Sequence, residues 1–198
     1  ACIGSSFELS TLVGCMTKPA EVIVALLQPA IAASLIIPIG NDRTAIELGI
    51  SLTRILTVRY KFAHDRIQQA AYSLIPEDKK QTLHQIVGRT LLQNTLTDKQ
   101  EEKIFDIVNH LNFSIPLLQN QTEKDELAAL NLTAAKKAKE SIAYESALSY
   151  ASLGIKLIEE KSWQRQYELS LALFLEAAAA AYLCGKFTST ENYIDIVL

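Results

Sequence analysis

The sequence predicts a mainly α-helical protein with a small β element near its start. Apolar residues recur at helical spacing along most of the 198 residues, 49% of which are hydrophobic, and that spacing is typical of amphipathic helices. Alternating apolar and polar residues occur only in short stretches before residue 63. From about Glu123 onward the chain is rich in alanine and contains no proline. The length and composition suit one large or two small packed units.

The first 39 residues predict two helices and a strand. Residues 7–15 (FELSTLVGC) have the pattern of a short helix whose inward side chains are Phe7, Leu9, Leu12 and Val13. A second helix follows, with Thr17 as its N-cap and Pro19 in its first turn. Pro29 should kink or split this helix, because proline lacks the N–H that an interior position needs. The segment SLIIPI then predicts a strand.

A second strand and a third helix follow a less regular stretch. Residues 40–57 predict a loop, and VRYKFA then alternates as a half-buried strand should. The helix after it is expected to be buried through Ile67, Ala70, Ala71 and Leu74. The order helix, helix, strand, loop, strand, helix is that of a winged helix. Residues 1–76 are therefore predicted to form a winged-helix-like domain with a small β hairpin.

Residues 77–122 predict two connecting helices. The first begins after Pro76 with acidic residues in its first turn, where the helix dipole favours them. The second is capped by Asp98 and carries an apolar face formed by Ile104, Phe105, Val108 and Leu111. Pro116 ends this pattern.

Residues 123–198 predict paired helices. Small residues at seven positions let the helices approach closely: Ala134, Ala135, Ala138, Ala147, Ala177, Ala178 and Ala181. Aromatic residues are expected to fill the space between them: Tyr144, Tyr150, Phe174, Tyr182 and Phe187. Hairpins of the tetratricopeptide (TPR) type pack in this way, so a TPR-like α-α superhelix is predicted. Because only about two hairpins are visible, the repeats are expected to continue beyond residue 198.

Charge and hydropathy argue against nucleic-acid and membrane partners. The formal net charge is −3 and the pI is about 5.7, which gives no basic footprint for nucleic acid. Residues 20–34 (AEVIVALLQPAIAAS), which would enter a DNA groove in a winged helix, contain no Lys or Arg, although groove binding needs such donors. Residues 22–41 carry no charge, but Gln28, Pro29, Ser34 and Pro38 interrupt them. We therefore expect no membrane insertion.

The sequence contains no familiar catalytic or metal-binding motif. It has no Gly-x-x-x-x-Gly-Lys-Ser/Thr phosphate loop, no Gly-x-Ser-x-Gly and no Cys-x-x-Cys. His64, His84 and His110 lack the spacing of zinc ligands. Three scattered cysteines fit reduced thiols in a cytoplasmic protein better than a disulfide framework. We therefore expect no catalytic residue, no metal site and no enzyme activity in these residues.

His64 is the residue that most needs an explanation. It stands between the alternating residues of a strand and the start of a helix, in YKFAHDRIQQAAYSLIP, and histidine changes charge most easily near neutral pH. Three interpretations compete: a phosphoacceptor of a histidine phosphorelay, a nucleotide sensor, or a histidine that only caps the helix or packs. The phosphoacceptor interpretation requires a solvent-facing helical hairpin, whereas the expected burial of the helix after His64 argues against one.

Four segments resemble one region of the very large bacterial, especially cyanobacterial, signalling proteins. These segments are ACIGSSFELSTL, YKFAHDRIQQAAYSLIP, IFDIVNHLN and SWQRQYELSLALFLEAAAAAYLCGKF. Proteins of that family carry a serine/threonine kinase-like domain, an AAA/STAND-type ATPase, helical repeats, a GAF domain and a sensor histidine kinase. The resemblance implies that these residues form the end of the ATPase module and the start of its repeats. The kinase and phosphate-loop residues of the family lie outside them.

The resemblance also implies a role for His64 and Asp65. In STAND ATPases a histidine in a Met-His-Asp pattern, at the strand-to-helix junction of a winged helix, contacts the β-phosphate of ADP. Residues 62–65 (FAHD) are similar to that pattern, with Ala63 where Met is usual. His64 would then sense ADP, with Asp65 orienting the ring or capping the helix, only together with an upstream ATPase core. ADP or ATP with Mg²⁺ is expected in the parent protein and no cofactor in these residues.

The resemblance and the residues together predict a regulatory and interaction segment of a cytoplasmic signal-transduction ATPase or protein kinase. It would couple nucleotide state to the binding of protein partners by the repeats and by the upstream ATPase core. The parent would be a serine/threonine kinase, a histidine kinase or both. One alternative is a stand-alone helical interaction scaffold with no nucleotide role. Another is an accessory segment of a histidine phosphorelay.

Overall fold

The computed structural model describes residues 1–16, 18–39, 58–95, 102–159 and 161–198. They divide into two compact units, Ala1–Asn94 and Thr95–Leu198. Helices dominate both units, which confirms the predicted mainly α fold. The domain boundaries at residues 76 and 122 stay predictions.

Within its described residues, the first unit contains a small sheet and four helices. Its elements are β1 (Ser6–Glu8), α1 (Leu9–Cys15), α2 (Ala20–Ala32), β2 (Ile36–Ile39), β3 (Arg59–Phe62), α3 (Asp65–Ser73) and α4 (Glu77–Asn94). The strands are antiparallel in the order β1-β3-β2, so β3 is central. Their apolar side chains form one core with α1 and α2, which includes Phe7, Leu9, Ile23, Ile36, Val58 and Tyr60.

Strand β1 corrects the helix predicted for residues 7–15. Phe7 lies in the strand, opposite Tyr60, and the helix begins only at Leu9. The Phe7 and Tyr60 rings stack with their centroids 5.8 Å apart. Such cross-strand pairs stabilise a sheet, and this one outweighs the local helical pattern. The predicted hairpin is therefore a three-stranded sheet.

Helix α2 decides one of the two outcomes predicted for Pro29, a kink or a split. It runs from Ala20 to Ala32 with Pro29 inside it, so proline does not split it. Proline removes only the hydrogen bond that its own N–H would donate, and the Pro29 carbonyl still accepts the N–H of Ala33 at 3.0 Å. Thr17, the predicted cap, and the predicted loop over residues 40–57 lie outside the described residues.

Helix α3 is much less buried than predicted. None of its residues is fully buried, and Leu74, expected to be inward, is 84% exposed. Ala70 is exposed as well, whereas Ile67 and Ala71 are half-buried. The helix has nine residues and packs against β3, so only a narrow strip of it is covered. Burial of α3 is therefore no argument against a solvent-facing His64.

The second unit is a set of packed helices. Its described elements are α5 (Ile104–Phe113), a 3-10 helix (Ile115–Leu117), α6 (Gln121–Glu140), α7 (Tyr144–Leu157), α8 (Ser162–Arg165), α9 (Tyr167–Leu183) and α10 (Phe187–Val197). Three residues join α6 to α7 and three join α9 to α10, so each pair folds back on itself. Helix α5 begins at Ile104, and its predicted cap, Asp98, lies outside the described residues.

The predicted alanine packing is confirmed, but the aromatic packing is confirmed only in part. All seven small residues named above are buried, and α9 packs against both α7 and α10. Phe174 is buried and Tyr150 packs on the core. The prediction is wrong for Tyr182 and Phe187, whose side chains are 61% and 60% exposed. Their rings contact each other at 5.8 Å on the surface.

Over the parts of the chain described here, no single helix is both long and apolar enough to cross a membrane. The pair α1 and α2 passes such a test only when joined across a bend of 114°.

Candidate functional site

His64 lies at the junction predicted from the sequence, between β3 and α3. The Ala63 N–H donates to the Leu35 carbonyl at 3.0 Å, which holds the residue before the junction on the sheet. His64 is extended (φ −151°, ψ 145°) and is the N-cap of α3. Its Nδ1 accepts the backbone N–H of Arg66 at 3.3 Å. The histidine therefore caps the helix, which is one of the three interpretations.

This cap determines what the rest of the ring can do. Neutral imidazole has one donor and one acceptor, so an accepting Nδ1 requires the proton on Nε2. His64 is exposed, and the Nε2–H group is thus a donor available for a second contact. The first turn of α3 offers a ligand few further donors, because the Ile67 N–H already donates to the His64 carbonyl at 2.9 Å.

Asp65 occupies the first turn of α3, where a negative charge is favourable. Its side chain is exposed, and no hydrogen bond or ion pair joins it to His64 or to any other described residue. The structure therefore brings His64 and Asp65 together only as neighbours in the chain. The pair therefore offers one outward hydrogen-bond donor, the His64 Nε2–H.

The other two histidines are less exposed than His64. The Tyr72 hydroxyl lies 2.9 Å from His84 Nε2, and Lys80 lies over the Tyr72 ring at 4.8 Å. Desolvation raises the pKa of Tyr72, so its hydroxyl stays protonated at neutral pH. His110 is buried in the last turn of α5.

A buried carboxylate in the second unit has no counterpart in the sequence-based predictions. Asp125, 5% exposed, accepts hydrogen bonds from Gln121 at 2.8 Å, Arg165 at 2.6 Å and Gln166 at 2.7 Å. These donors join the start of α6 to the segment between α8 and α9. Because three donors surround the carboxylate, its role is to fix two helices relative to each other.

Two further polar contacts between helices also have no counterpart in the sequence-based predictions. Asn112 of α5 and Asn131 of α6 exchange a pair of amide hydrogen bonds at 2.9 and 2.8 Å. Lys139 of α6 forms an ion pair with Glu176 of α9 at 2.8 Å. Their partners lie 19 and 37 residues apart in the chain, so no local pattern indicates them.

A cavity of about 360 Å³ lies beside the turn between α6 and α7, with Cys184 in its lining. The Glu145 carboxylate near this thiol forms an ion pair with Lys186 at 2.6 Å. Desolvation and the Glu145 charge raise the pKa of the Cys184 thiol. The thiol is therefore protonated at neutral pH, and a nucleophilic role is disfavoured.

Comparison with known proteins gives one informative similarity. No family model matches the sequence, and no solved structure matches it. The chain is similar to hybrid signal transduction histidine kinase G of Dictyostelium discoideum, with 27% identity over 165 residues. The match covers 71% of this chain and 5% of the relative, so the chain spans only a small part of that protein's length. The similarity supports a signal-transduction kinase context.

Proposed function

We propose that this chain is a regulatory and interaction segment of a larger cytoplasmic signal-transduction kinase with an ATPase module. The first unit is a winged-helix-like domain that reports nucleotide state, and the second is a TPR-like set of helices that contacts protein partners. The proposal assigns no catalytic role to the described residues. The observation that carries the nucleotide role is the geometry of His64, which caps α3 through Nδ1 and keeps an exposed Nε2–H donor.

In this proposal His64 holds ADP in a resting state through its Nε2–H. One hydrogen bond to a charged phosphate contributes about 1.5–3 kcal/mol. Losing it shifts the balance between resting and open states about ten- to hundredfold. Asp65 acts more weakly, by keeping the start of α3 in place.

The test compares two substitutions of His64 in the full-length parent. His64→Ala removes both the cap and the Nε2–H, whereas His64→Ser keeps a good N-cap and removes only the outward donor. We expect both variants to release ADP about ten- to hundredfold faster and to raise basal signalling. The measurement is the dissociation rate of a fluorescent ADP analogue, together with the melting temperature.

Gln69→Ala is the matched control, because Gln69 is an exposed residue of the same helix. Gln68 is less suitable, since its side chain donates to the Ala1 carbonyl at 3.2 Å. Unchanged ADP release in His64→Ser would contradict the sensor role. Lowered stability in His64→Ala alone would leave His64 as a cap only. An acid-labile phosphate on His64 would favour the phosphorelay alternative.

The interaction role rests on the exposed apolar surface at the end of the second unit. Tyr182, Phe187 and Ile196 are each more than half exposed, and such residues are enriched at protein interfaces. A stand-alone scaffold would share this surface, and the two functions differ in whether ADP affects binding of the partner.

A further inference from the structure

A small cavity lies in the second unit where α7 ends and α8 and α9 begin. Its volume is about 220 Å³, and it is lined by Ile155, Ile158, Glu159, Ser162, Trp163 and Phe174. At a liquid volume of about 30 Å³ per water molecule, this space corresponds to roughly seven waters. The cavity therefore suits a group of a few heavy atoms.

Aromatic rings form a supported wall of this cavity. The ring centroids of Trp163 and Phe174 are 5.5 Å apart, and Tyr167 meets Trp163 edge-on at 5.8 Å. Phe174 is only 8% exposed and also contacts Tyr193 at 6.2 Å. Because neighbouring rings already hold this wall in place, binding of a ligand loses little side-chain conformational entropy.

The charge at the cavity is negative and lacks a direct counterion. Glu159 is exposed, and its carboxylate makes no ion pair with any residue in the described ranges. Arg165 interacts electrostatically with Glu159, but its guanidinium group forms an ion pair with Asp125 at 2.6 Å. The Ser162 hydroxyl accepts a hydrogen bond from the Ser170 hydroxyl at 2.9 Å and carries no charge. Glu159 is thus the charged group of the lining, and its charge is available to a ligand.

We propose that this cavity binds an alkylammonium group, with its carbon chain against Ile155, Ile158 and the aromatic wall and its charge beside Glu159. Aromatic rings attract cations through their quadrupole, and ammonium groups are recognised in this way. Either a free small amine or a lysine side chain of a partner supplies this chemistry. The site goes beyond the proposed function and is independent of the nucleotide role of His64.

The single tryptophan of the sequence provides the assay. The 198-residue chain is titrated with n-butylammonium chloride, with sodium chloride added to keep ionic strength constant, and Trp163 fluorescence is recorded. We expect a saturable change in the millimolar range, since a ligand of only five heavy atoms has little surface to bury and must still lose its free motion on binding. Neutral n-butanol should bind at least about threefold more weakly, because it lacks the attraction to Glu159.

Variants test each part of the site. Glu159→Gln should weaken n-butylammonium binding about three- to fivefold and leave n-butanol unaffected. Phe174→Leu should weaken it about two- to fivefold. Glu168→Gln, which removes an exposed acid of α9 outside the lining, is the matched control and should change nothing. Thermal unfolding of each variant verifies that the second unit is intact.

A second titration identifies the source of the ammonium group. A blocked Ala-Lys-Ala tripeptide that binds at least as tightly as n-butylammonium indicates a lysine side chain, whereas a preference for the free amine indicates a metabolite. A linear, unsaturable response to n-butylammonium would overturn the proposal. Equal binding of n-butanol and n-butylammonium would overturn it as well, as would equal affinities of Glu159→Gln and the unmodified chain.

Discussion

Asp125 is a buried carboxylate whose hydrogen bonds join distant parts of the second unit. Asp125→Ala leaves the Gln121 and Gln166 amides without their shared acceptor. Because the change removes a buried acceptor of three hydrogen bonds, we expect a loss of about 1–3 kcal/mol in the free energy of unfolding. The measurement is urea unfolding followed by Trp163 fluorescence, since the single tryptophan reports on this unit.

Two variants show whether the carboxylate itself matters. Asp125→Asn places an amide N–H₂ group next to donors that need an acceptor. We therefore expect it to lower the free energy of unfolding by more than half as much as Asp125→Ala does. Glu126→Ala, at the exposed neighbouring position, should stay within about 0.5 kcal/mol. Equal stability of Asp125→Ala and Glu126→Ala would contradict the role of Asp125.

Tyr60 has a buried hydroxyl with no hydrogen-bond partner among the described residues. Tyr60→Phe removes this unpaired group, so at pH 7 it should leave stability unchanged or raise it by up to about 1 kcal/mol. Desolvation raises the pKa of Tyr60 above its ordinary value. The folded state therefore loses stability as the pH rises above about 10, because the unfolded chain ionises first.

The alkaline loss contributed by Tyr60 should disappear in Tyr60→Phe, which thermal unfolding at pH 7 and at pH 10.5 measures. Tyr150→Phe is the contrasting variant, because the Tyr150 hydroxyl donates to Asn109 at 3.0 Å. It should cost about 1 kcal/mol at pH 7. A loss of the same size in Tyr60→Phe would mean that the Tyr60 hydroxyl has a stabilising partner.

Sequence reasoning predicted the strand-to-helix junction at which His64 lies but could not find Asp125. His64 stands where alternating and helical patterns meet, and both patterns are local. The partners of Asp125 on Arg165 and Gln166 lie 40 and 41 residues away, and nothing near Asp125 indicates them. The capping bond of His64 was one of the alternatives, whereas contact with a nucleotide stays a prediction.

At the scale of elements, Gly154 marks a close approach of α7 to α9 and α6. A Cβ at this position would lie 2.5 Å from Leu173 Cδ2 and 3.4 Å from the Ala128 carbonyl. Leu173 is fully buried and has little room to move. Gly154→Ala should therefore lower the free energy of unfolding by about 1–3 kcal/mol, even though alanine favours a helix by about 1 kcal/mol.

Ser149→Ala is the matched control on the exposed side of α7. It makes the same change toward alanine without a close neighbour, so it should be neutral or raise stability by up to about 0.5 kcal/mol. Urea unfolding of both variants measures the difference. A gain in stability in Gly154→Ala would show that α7 can shift away from α9.

The elements were predictable where a pattern was long and local. The helices from residue 121 onward and the strand at Arg59–Phe62 follow their apolar periods. Strand β1 was not predictable, because its three residues form a strand only by pairing with β3, more than 50 residues later. The exposure of α3 was not predicted. The apolar residues Ile67, Ala70, Ala71 and Leu74 have helical spacing, but spacing alone does not show whether another element packs against them.

At the scale of the whole molecule, the structure groups α5 with the helices that follow it. The pattern break at Pro116 suggests a division there, but Ile104 and Val108 of α5 share a buried cluster with Ala134 of α6. The paired amides of Asn112 and Asn131 add two hydrogen bonds across the same contact. The sequence does not show that α5 belongs with α6, because the contacts that join the two helices are made by side chains on either side of Pro116.

Limited proteolysis of the full chain with trypsin tests this grouping. Lys103 precedes α5 directly, whereas Lys124 lies within the first turn of α6. If α5 belongs with α6, cleavage after Lys103 should dominate, and the protected fragment should begin at Ile104. Asn131→Ala removes the amide pair from a fully buried position and should make cleavage after Lys124 several-fold faster, because helix ends open as local contacts weaken. N-terminal sequencing of the fragments distinguishes the two cuts, and a protected fragment beginning at Asp125 in the unmodified chain would show that α5 is not held by α6.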